Sequence, residues 1–290
     1  MIRIGVLGTD NSHSITFSRI FNIKGEKGYI AGGKVVAIYG LEDKRNAEVA
    51  EKGHVATIVK RPADMIGMID AAIVDFRHGS RHLKYAKTFI EAGIPTFIDK
   101  PFTASVADAK KMVELARRRR VPITTFSTLR FAAGLDTFIK NVKALGKVKA
   151  VTITGPGNAR DPHDGIFFYA VHQVEMMLEV FGDKIKSVRG LDYDGMLLAT
   201  VLYKNGMVVT INEINCGWQV FTATAHGENG ETRFEQAKDD AGYVDGAKLF
   251  FKMFKTGKMP YAYKDLATST RVLAAIDKSM KADGKEVKLV

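Results

Sequence analysis

The sequence predicts an α/β protein built as a doubly wound parallel sheet followed by an antiparallel one. Three observations lead there. Short apolar runs alternate with segments of helical period through residues 1–123; strand-like runs then follow one another with turn residues between them; and 290 residues suffice for two cores. A boundary is therefore expected near Thr124, with residues 1–123 forming one domain and 124–290 a second, and no flexible linker between them.

Taken in order, strands are expected at Ile2–Leu7, Lys34–Tyr39, Ala71–Asp75, Pro95–Ile98 and Pro122–Phe126, with helices near Ser14–Asn22, Lys44–Lys52, Ser80–Ala92 and Ser105–Arg119. Alternation at this spacing gives parallel strands joined by right-handed crossovers. After a helix at Leu135–Leu145 the rhythm changes. Val148–Thr154, Ile185–Leu191, Leu197–Tyr203, Met207–Ile214, Val220–His226 and Thr232–Phe234 read as strands, broken by turns such as Lys204-Asn205-Gly206 and Glu228-Asn229-Gly230. A helix at Leu266–Lys281 and a strand at Val287–Val290 close the chain.

Composition narrows the function classes. The formal net charge is +11, but the densest basic run, Arg117–Arg120, ends the helix begun near Ser105, where cations complement the helix dipole. Other lysines are scattered, without interleaved aromatics or zinc or helix-turn-helix spacing, so no nucleic-acid partner is expected. Cys216 is the only cysteine, which excludes an internal disulfide. The chain opens directly on a strand and has no apolar run of membrane-spanning length, so a cytoplasmic protein without a membrane partner is expected.

Chemistry is concentrated where Pro95-Thr96-Phe97-Ile98-Asp99-Lys100-Pro101-Phe102 brings Asp99 and Lys100 to the carboxyl end of a buried strand. In open parallel sheets that edge binds ligands. Pro101 biases Lys100 toward an extended backbone, which holds the ammonium in a defined place.

This motif, the glycine turn after the first strand, Ser127-Thr128-Leu129-Arg130-Phe131, Val171-His172 and the tail from Thr256-Gly257-Lys258-Met259-Pro260 to Val287-Lys288-Leu289 together resemble the Gfo/Idh/MocA oxidoreductases. The resemblance runs through nearly the whole chain. It implies a Rossmann domain, then an α/β domain on a large, mostly antiparallel sheet through which the protein would form a homo-oligomer. It also implies hydride transfer between NAD or NADP and the hydroxyl of a sugar, polyol or related compound.

The dinucleotide fingerprint wants three glycines. Here the turn reads Gly8-Thr9-Asp10-Asn11-Ser12-His13, so Asp10 takes the second place and His13 the third. Asp10 either faces the pyrophosphate or, like Ser12, caps the following helix; His13 either donates to a phosphate or packs on the sheet edge. The second strand ends at Gly40, where NAD-dependent relatives carry an acidic residue. Lys44 or Arg45 nearby could meet a 2′-phosphate, a lean toward NADP, while Glu42 or Asp43 could serve the ribose diol. Asp75-Phe76-Arg77-His78, with His82 beyond, lies at the sheet edge where the resemblance places the nicotinamide ribose. Metal binding by His78 and His82 is not expected, since no carboxylate or thiolate pattern accompanies them.

The family's second motif has an aspartate one helical turn before its histidine. Aligned on His172 that place is Phe168, so the chain lacks the acidic partner there. Tyr169 and Glu175, three residues to either side of His172, are candidate neighbours. His172 is expected as acid/base and Lys100 as its electrostatic partner, converging on one substrate carbon. Arg130, His163, Asp164, Phe168 and Tyr169 are the candidate substrate contacts, with Asp164 a candidate to replace the missing aspartate from its loop. Two other readings fit the same scaffold: a binding or regulatory protein that has lost turnover, and a lyase or epimerase with retained NAD.

Overall fold

A computed structural model describes residues 1–217, 220–237 and 241–289. In chain order its elements are β1 (Ile2–Leu7), α1 (His13–Asn22), β2 (Gly33–Tyr39), α2 (Asp43–Lys52), β3 (Thr57–Ile58), β4 (Ala71–Val74), α3 (His82–Glu91), β5 (Thr96–Ile98), α4 (Val106–Arg119), β6 (Ile123–Thr125) and α5 (Leu135–Ala144). There follow β7 (Val148–Pro156), α6 (Ile166–Phe181), β8 (Ile185–Tyr193), β9 (Met196–Tyr203), β10 (Val208–Ile214), β11 (Thr222–Gly227), β12 (Gly230–Glu235), α7 (Ala241–Thr256), α8 (Thr268–Met280) and β13 (Val287–Lys288). Val290, the end of the expected last strand, lies outside the described residues.

The chain divides into two compact units, Met1–Phe126 with Tyr243–Ala267, and Ser127–Gly242 with the residues from Thr268 onward. This differs from a single cut near Thr124: β6 runs across that point, and residues 243–267 fold with the first unit rather than the second. Aromatic packing accounts for the return. Phe250 on α7 stacks on Phe97 of β5 at 4.5 Å and meets Phe17 of α1 edge-on at 5.4 Å, while Phe251 packs on Phe21 at 5.2 Å. Rings of this size bury a large apolar area and contribute further through their geometry.

In the first unit the sheet order is β3-β2-β1-β4-β5-β6, and every pairing is parallel. β4 is buried at all its positions, as a strand covered on both faces must be. Strand order reverses between β1 and β4, so the ligand crevice of such a sheet opens at their carboxyl ends. α4 ends as its sequence suggests: Ser105 Oγ accepts from the Asp108 N–H at 3.1 Å, and Arg117–Arg119 fill the last turn. The second unit is a seven-stranded sheet, order β12-β11-β7-β10-β9-β8-β13, antiparallel except where β10 runs parallel to β7. Along β9 and β10 buried and half-exposed residues alternate, so one face carries the core beside α6 and α8.

Gly8 fixes where the site begins. Its φ is +101°, and a Cβ there would stand 2.4 Å from the Phe76 nitrogen. Only glycine permits both the conformation and the approach. Gly8→Ala is expected to lower unfolding stability by at least about 2 kcal/mol, measured by urea denaturation.

Candidate active site

The β1–α1 turn is fastened by side chains where a dinucleotide fingerprint would use glycines. Thr9 Oγ1 donates to Asn46 Oδ1 at 2.7 Å, and Asn46 Nδ2 donates to the Gly40 carbonyl at 3.1 Å. A Cβ on Gly40 would fall 1.8 Å from Thr9 Oγ1, so this glycine makes room for that bond. Arg45 donates to the carbonyls of Thr9 at 2.6 Å and Asn11 at 3.2 Å and pairs with Glu48. Its guanidinium is thus committed to the turn, which removes it from the residues expected near a 2′-phosphate. Lys44 is exposed.

Neither Asp10 nor Ser12 caps α1 through its side chain. Ser12 is exposed; Asp10 is half-buried, its Oδ2 3.8 Å from Arg81 and its buried Oδ1 without a hydrogen-bond partner among the described residues. Local order comes from Asn11, whose carbonyl accepts from Ser14 Oγ at 2.7 Å. The first turn of α1 contains no acidic residue. A glycine turn leading into a helix start without an acidic residue, with Asp10's charge offset by Arg81, fits a dinucleotide phosphate.

Below the turn the strand ends converge. Asp75 N–H donates to the Leu7 carbonyl at 2.6 Å and Asp99 N–H to the Val74 carbonyl at 2.8 Å, which brings the ends of β1, β4 and β5 together. Asp75 and Asp99 are fully buried, with carboxyl oxygens of the two within 4.8 Å of each other. Asn11 Nδ2 donates to Asp75 at 2.8 Å and to Asp99 at 3.3 Å. His13 points inward: Nδ1 lies 2.8 Å from Asp99 Oδ2 and Nε2 lies 2.9 Å from the Tyr243 hydroxyl. Both ring nitrogens are therefore engaged, and of its two expected roles packing at the sheet edge is the one realised. Burial, then the neighbouring charge of Asp99, holds the Asp75 carboxyl well above the usual range. Burial also pushes Asp99 upward, but His13 and Lys100 outweigh it and hold Asp99 low. Lys100, 4 % exposed, follows through a cis bond to Pro101.

Arg77 and His78 are half-buried on the loop after β4. His82, expected beside the nicotinamide ribose, is instead fully buried, with Nε2 2.8 Å from the Phe76 carbonyl and Nδ1 3.3 Å from that of Phe102. Burial lowers its pKa, and the neutral ring has one N–H, which at Nε2 donates to the Phe76 carbonyl.

In the second unit His172, 9 % exposed, sits on α6 with Nδ1 2.7 Å from Ser127 Oγ, which also accepts from the Leu129 N–H at 3.1 Å. Tyr169 and Phe221 flank its ring at 5.6 and 5.3 Å. Phe168 is buried against His163 at 4.8 Å, and His163 is held by Asp161 at 2.8 Å. Asp164 takes a left-handed backbone, φ +76°, in the loop before α6. Arg130, expected at the substrate, bridges Glu175 and Glu179 of α6 and so ties the 127–131 turn to that helix. Glu175 accordingly faces Arg130 rather than His172.

Sequence reasoning missed Asn46, Phe221, Tyr243 and the function of Ser127. It also missed Glu213, a fully buried carboxyl on β10 whose two oxygens have no hydrogen-bond partner among the described residues. Its signal was present: Val209, Ile211 and Glu213 alternate onto the buried face of β10.

Residues 2–126 match the model of the Gfo/Idh/MocA group, described as an oxidoreductase family with an NAD-binding Rossmann fold. Inositol 2-dehydrogenase 1 of Saccharopolyspora erythraea is 31 % identical over 126 residues, covering 42 % of this chain and 34 % of that protein. The chain spans less than half the length of the curated relatives it matches. Among solved structures, the fold is similar to myo-inositol 2-dehydrogenase from Lactobacillus plantarum, with a TM-score of 0.87, 16 % identity and coverage of 100 % of this chain and 99 % of that one. Myo-inositol dehydrogenase from Lactobacillus casei, solved with NAD(H) and myo-inositol, gives 0.81 at 16 % identity, covering 100 % and 97 %.

The Glu213 carboxyl has a testable pH signature. Burial, then the charge of Asp161, raises its pKa well above the ordinary 4.5, so the folded state holds this proton more tightly than the unfolded chain. Stability from that group is complete below the ordinary value and is lost as pH rises toward the raised one. Glu213→Gln is expected to melt higher than the wild type at neutral pH. The gap should close as pH falls toward 4.5, as followed by thermal denaturation across pH.

Proposed function

We propose, from the premise that residues 2–126 belong to the Gfo/Idh/MocA oxidoreductase family, that the protein is an NAD(P)-dependent dehydrogenase acting on a sugar, polyol or related hydroxy compound. The observation that carries this reading is the meeting of the Gly8 turn with a buried lysine at the carboxyl edge of the first sheet. The backbone of Gly8, Thr9 and Asp10, the start of α1 at Ser12, and Arg77 after β4 would hold the dinucleotide. When bound, the nicotinamide ring takes up or returns the hydride. The case for NADP rests on Gly40 and exposed Lys44, since Arg45 is engaged by the turn.

The remaining chemistry falls to the chain's own side chains. Oxidation of a hydroxyl requires a group to take its proton as charge develops on oxygen. Lys100 is assigned to stabilise that charge and orient the hydroxyl. His172 is assigned to take the proton at Nε2. For that, Nδ1 must carry the ring hydrogen and donate to Ser127 Oγ, which retains a lone pair beyond the one used by Leu129. Tyr169 and Phe168 are assigned to the substrate side of α6, Phe168 offering an aromatic face to a sugar's C–H surface. His163 and Asp164 are assigned to substrate hydroxyls from the loop before that helix. The absence of a carboxyl at Phe168 favours one rival, a binding protein on the same scaffold.

A homo-oligomer through the second sheet is also proposed. The outward positions Leu198, Thr200, Leu202, Thr210 and Ile214 of β9 and β10 are half-exposed and mostly uncharged. Light scattering behind size exclusion should return a mass of at least two chains.

Parallel fluorescence titrations with NADH and NADPH should show saturable binding of at least one of them. Lys100→Ala and His172→Ala should each lower kcat by about 10²- to 10⁴-fold in polyol oxidation, with dinucleotide Kd changed by less than about threefold. Binding of a polyol without turnover by the wild type would instead establish the binding protein.

A further inference from the structure

The dinucleotide fingerprint uses glycines because a backbone without side chains brings its N–H groups close to a phosphate. After Gly8 this turn carries side chains at Thr9, Asp10, Asn11 and Ser12, so the direction of its N–H groups must be fixed by other means. Arg45, on the first turn of α2, supplies them. Its Nε donates to the Thr9 carbonyl at 2.6 Å and its Nη2 to the Asn11 carbonyl at 3.2 Å. Two alternate carbonyls of the turn thus converge on one planar group. The guanidinium is held in its turn by Glu48, which accepts from Nη1.

A trans peptide unit carries its C=O and its N–H on opposite sides. The bonds from Thr9 to Asp10 and from Asn11 to Ser12 are both trans. With the two carbonyls turned toward Arg45, the N–H groups of Asp10 and Ser12 are turned away from it. Neither N–H has a hydrogen-bond partner among the described residues. Asp10 is half-buried and Ser12 exposed, so this stretch of backbone lies at the surface. The Asp10 carboxyl has its own counter-charge in Arg81, 3.8 Å away.

We propose that Arg45 is a positioning residue that does the work of the missing glycines: by pinning the Thr9 and Asn11 carbonyls it makes Asp10 and Ser12 present their N–H groups to the phosphates of a dinucleotide. It acts through the turn and touches no ligand. The identity of the ligand rests on the dehydrogenase reading, whereas the direction of the N–H groups rests on the hydrogen bonds of Arg45 alone. Lysine would not serve in its place, because an ammonium is a point charge and the guanidinium is a planar fork that spans two acceptors. The role also differs from a contact with a 2′-phosphate. Such a contact would favour NADPH alone, while a pinned turn serves every ligand that carries the diphosphate.

Binding titrations and amide NMR on the full-length protein test the proposal, with ADP, NADH and NADPH as probes. Arg45→Ala and Arg45→Lys should each raise the Kd for ADP about tenfold, and those for NADH and NADPH by the same factor to within about twofold. Saturating ADP should move the Asp10 and Ser12 amide resonances strongly in the wild type and little in Arg45→Lys, while that of Gly40 moves in both. A wild-type Kd for ADP in either variant overturns the proposal. So does a loss for NADPH several times that for NADH, or an Asp10 and Ser12 response to ADP that is the same in Arg45→Lys as in the wild type. Should neither variant fold, the wild-type amides decide alone: a response at Asp10 and Ser12 supports the proposal, and none overturns it. All of these are measurements of binding. A protein that binds ADP but oxidises no polyol loses the dehydrogenase reading and keeps the role of Arg45, and a wild type that binds none of the three probes overturns both.

Discussion

Burying two carboxyl groups at the ends of neighbouring strands is the constraint around which the first unit is arranged. An ion in a dry interior costs several kcal/mol unless partners replace its water. Asp75 and Asp99 lie where β4 and β5 end, and their partners come from distant parts of the chain: Asn11 and His13 from the β1–α1 turn, and Tyr243 through His13. A turn made of glycines would have no side chains to offer. The departure from the glycine fingerprint and the return of residues 243–267 to the first unit therefore serve one requirement. Arg45 and Asn46 hold the same turn from the α2 side, so its shape is set by hydrogen bonds on both flanks.

Much of the fold was legible in the sequence, because periodicity reports burial. β1, β2 and β4–β6 fall within a residue or two of the apolar runs that suggest them, and the second sheet matches its strand-like runs as closely. Two elements escaped. β3 is two residues long, too short for any period to show. α7 begins beside residues outside the description, and its Phe250 and Phe251 answer to aromatic partners far away in sequence rather than to a local signal.

The site was legible where one residue's chemistry is tied to a strand end, and illegible where it turns on which partner a side chain finds. Asp99 and Lys100 follow directly from the end of β5. Arg45, Arg130 and His82 read from sequence as groups free to meet a ligand, yet each is spent on carbonyls or carboxylates of its own unit. Nothing in their local sequence distinguishes the two fates. Glu213 marks the reverse case, a carboxyl that was missed although its alternation with Val209 and Ile211 carries the signal of its burial. A family match over residues 2–126 leaves the second unit to be argued from its own side chains, of which His172 and its contact with Ser127 are the most specific.

The return of residues 243–267 also bears on how the protein comes into being at the ribosome. Synthesis proceeds from the amino terminus, and domains generally fold as units as they emerge. The six strands of the first sheet are all made by residue 125, but Tyr243 and Phe250 are not yet translated. Until they are, the faces of Phe17 and Phe97 that meet Phe250 stay uncovered, and His13 lacks its outer hydrogen bond. The nascent chain therefore carries an unfinished nucleotide-type sheet through the whole synthesis of the second sheet, a long interval in which exposed phenylalanine invites association with other chains or with chaperones.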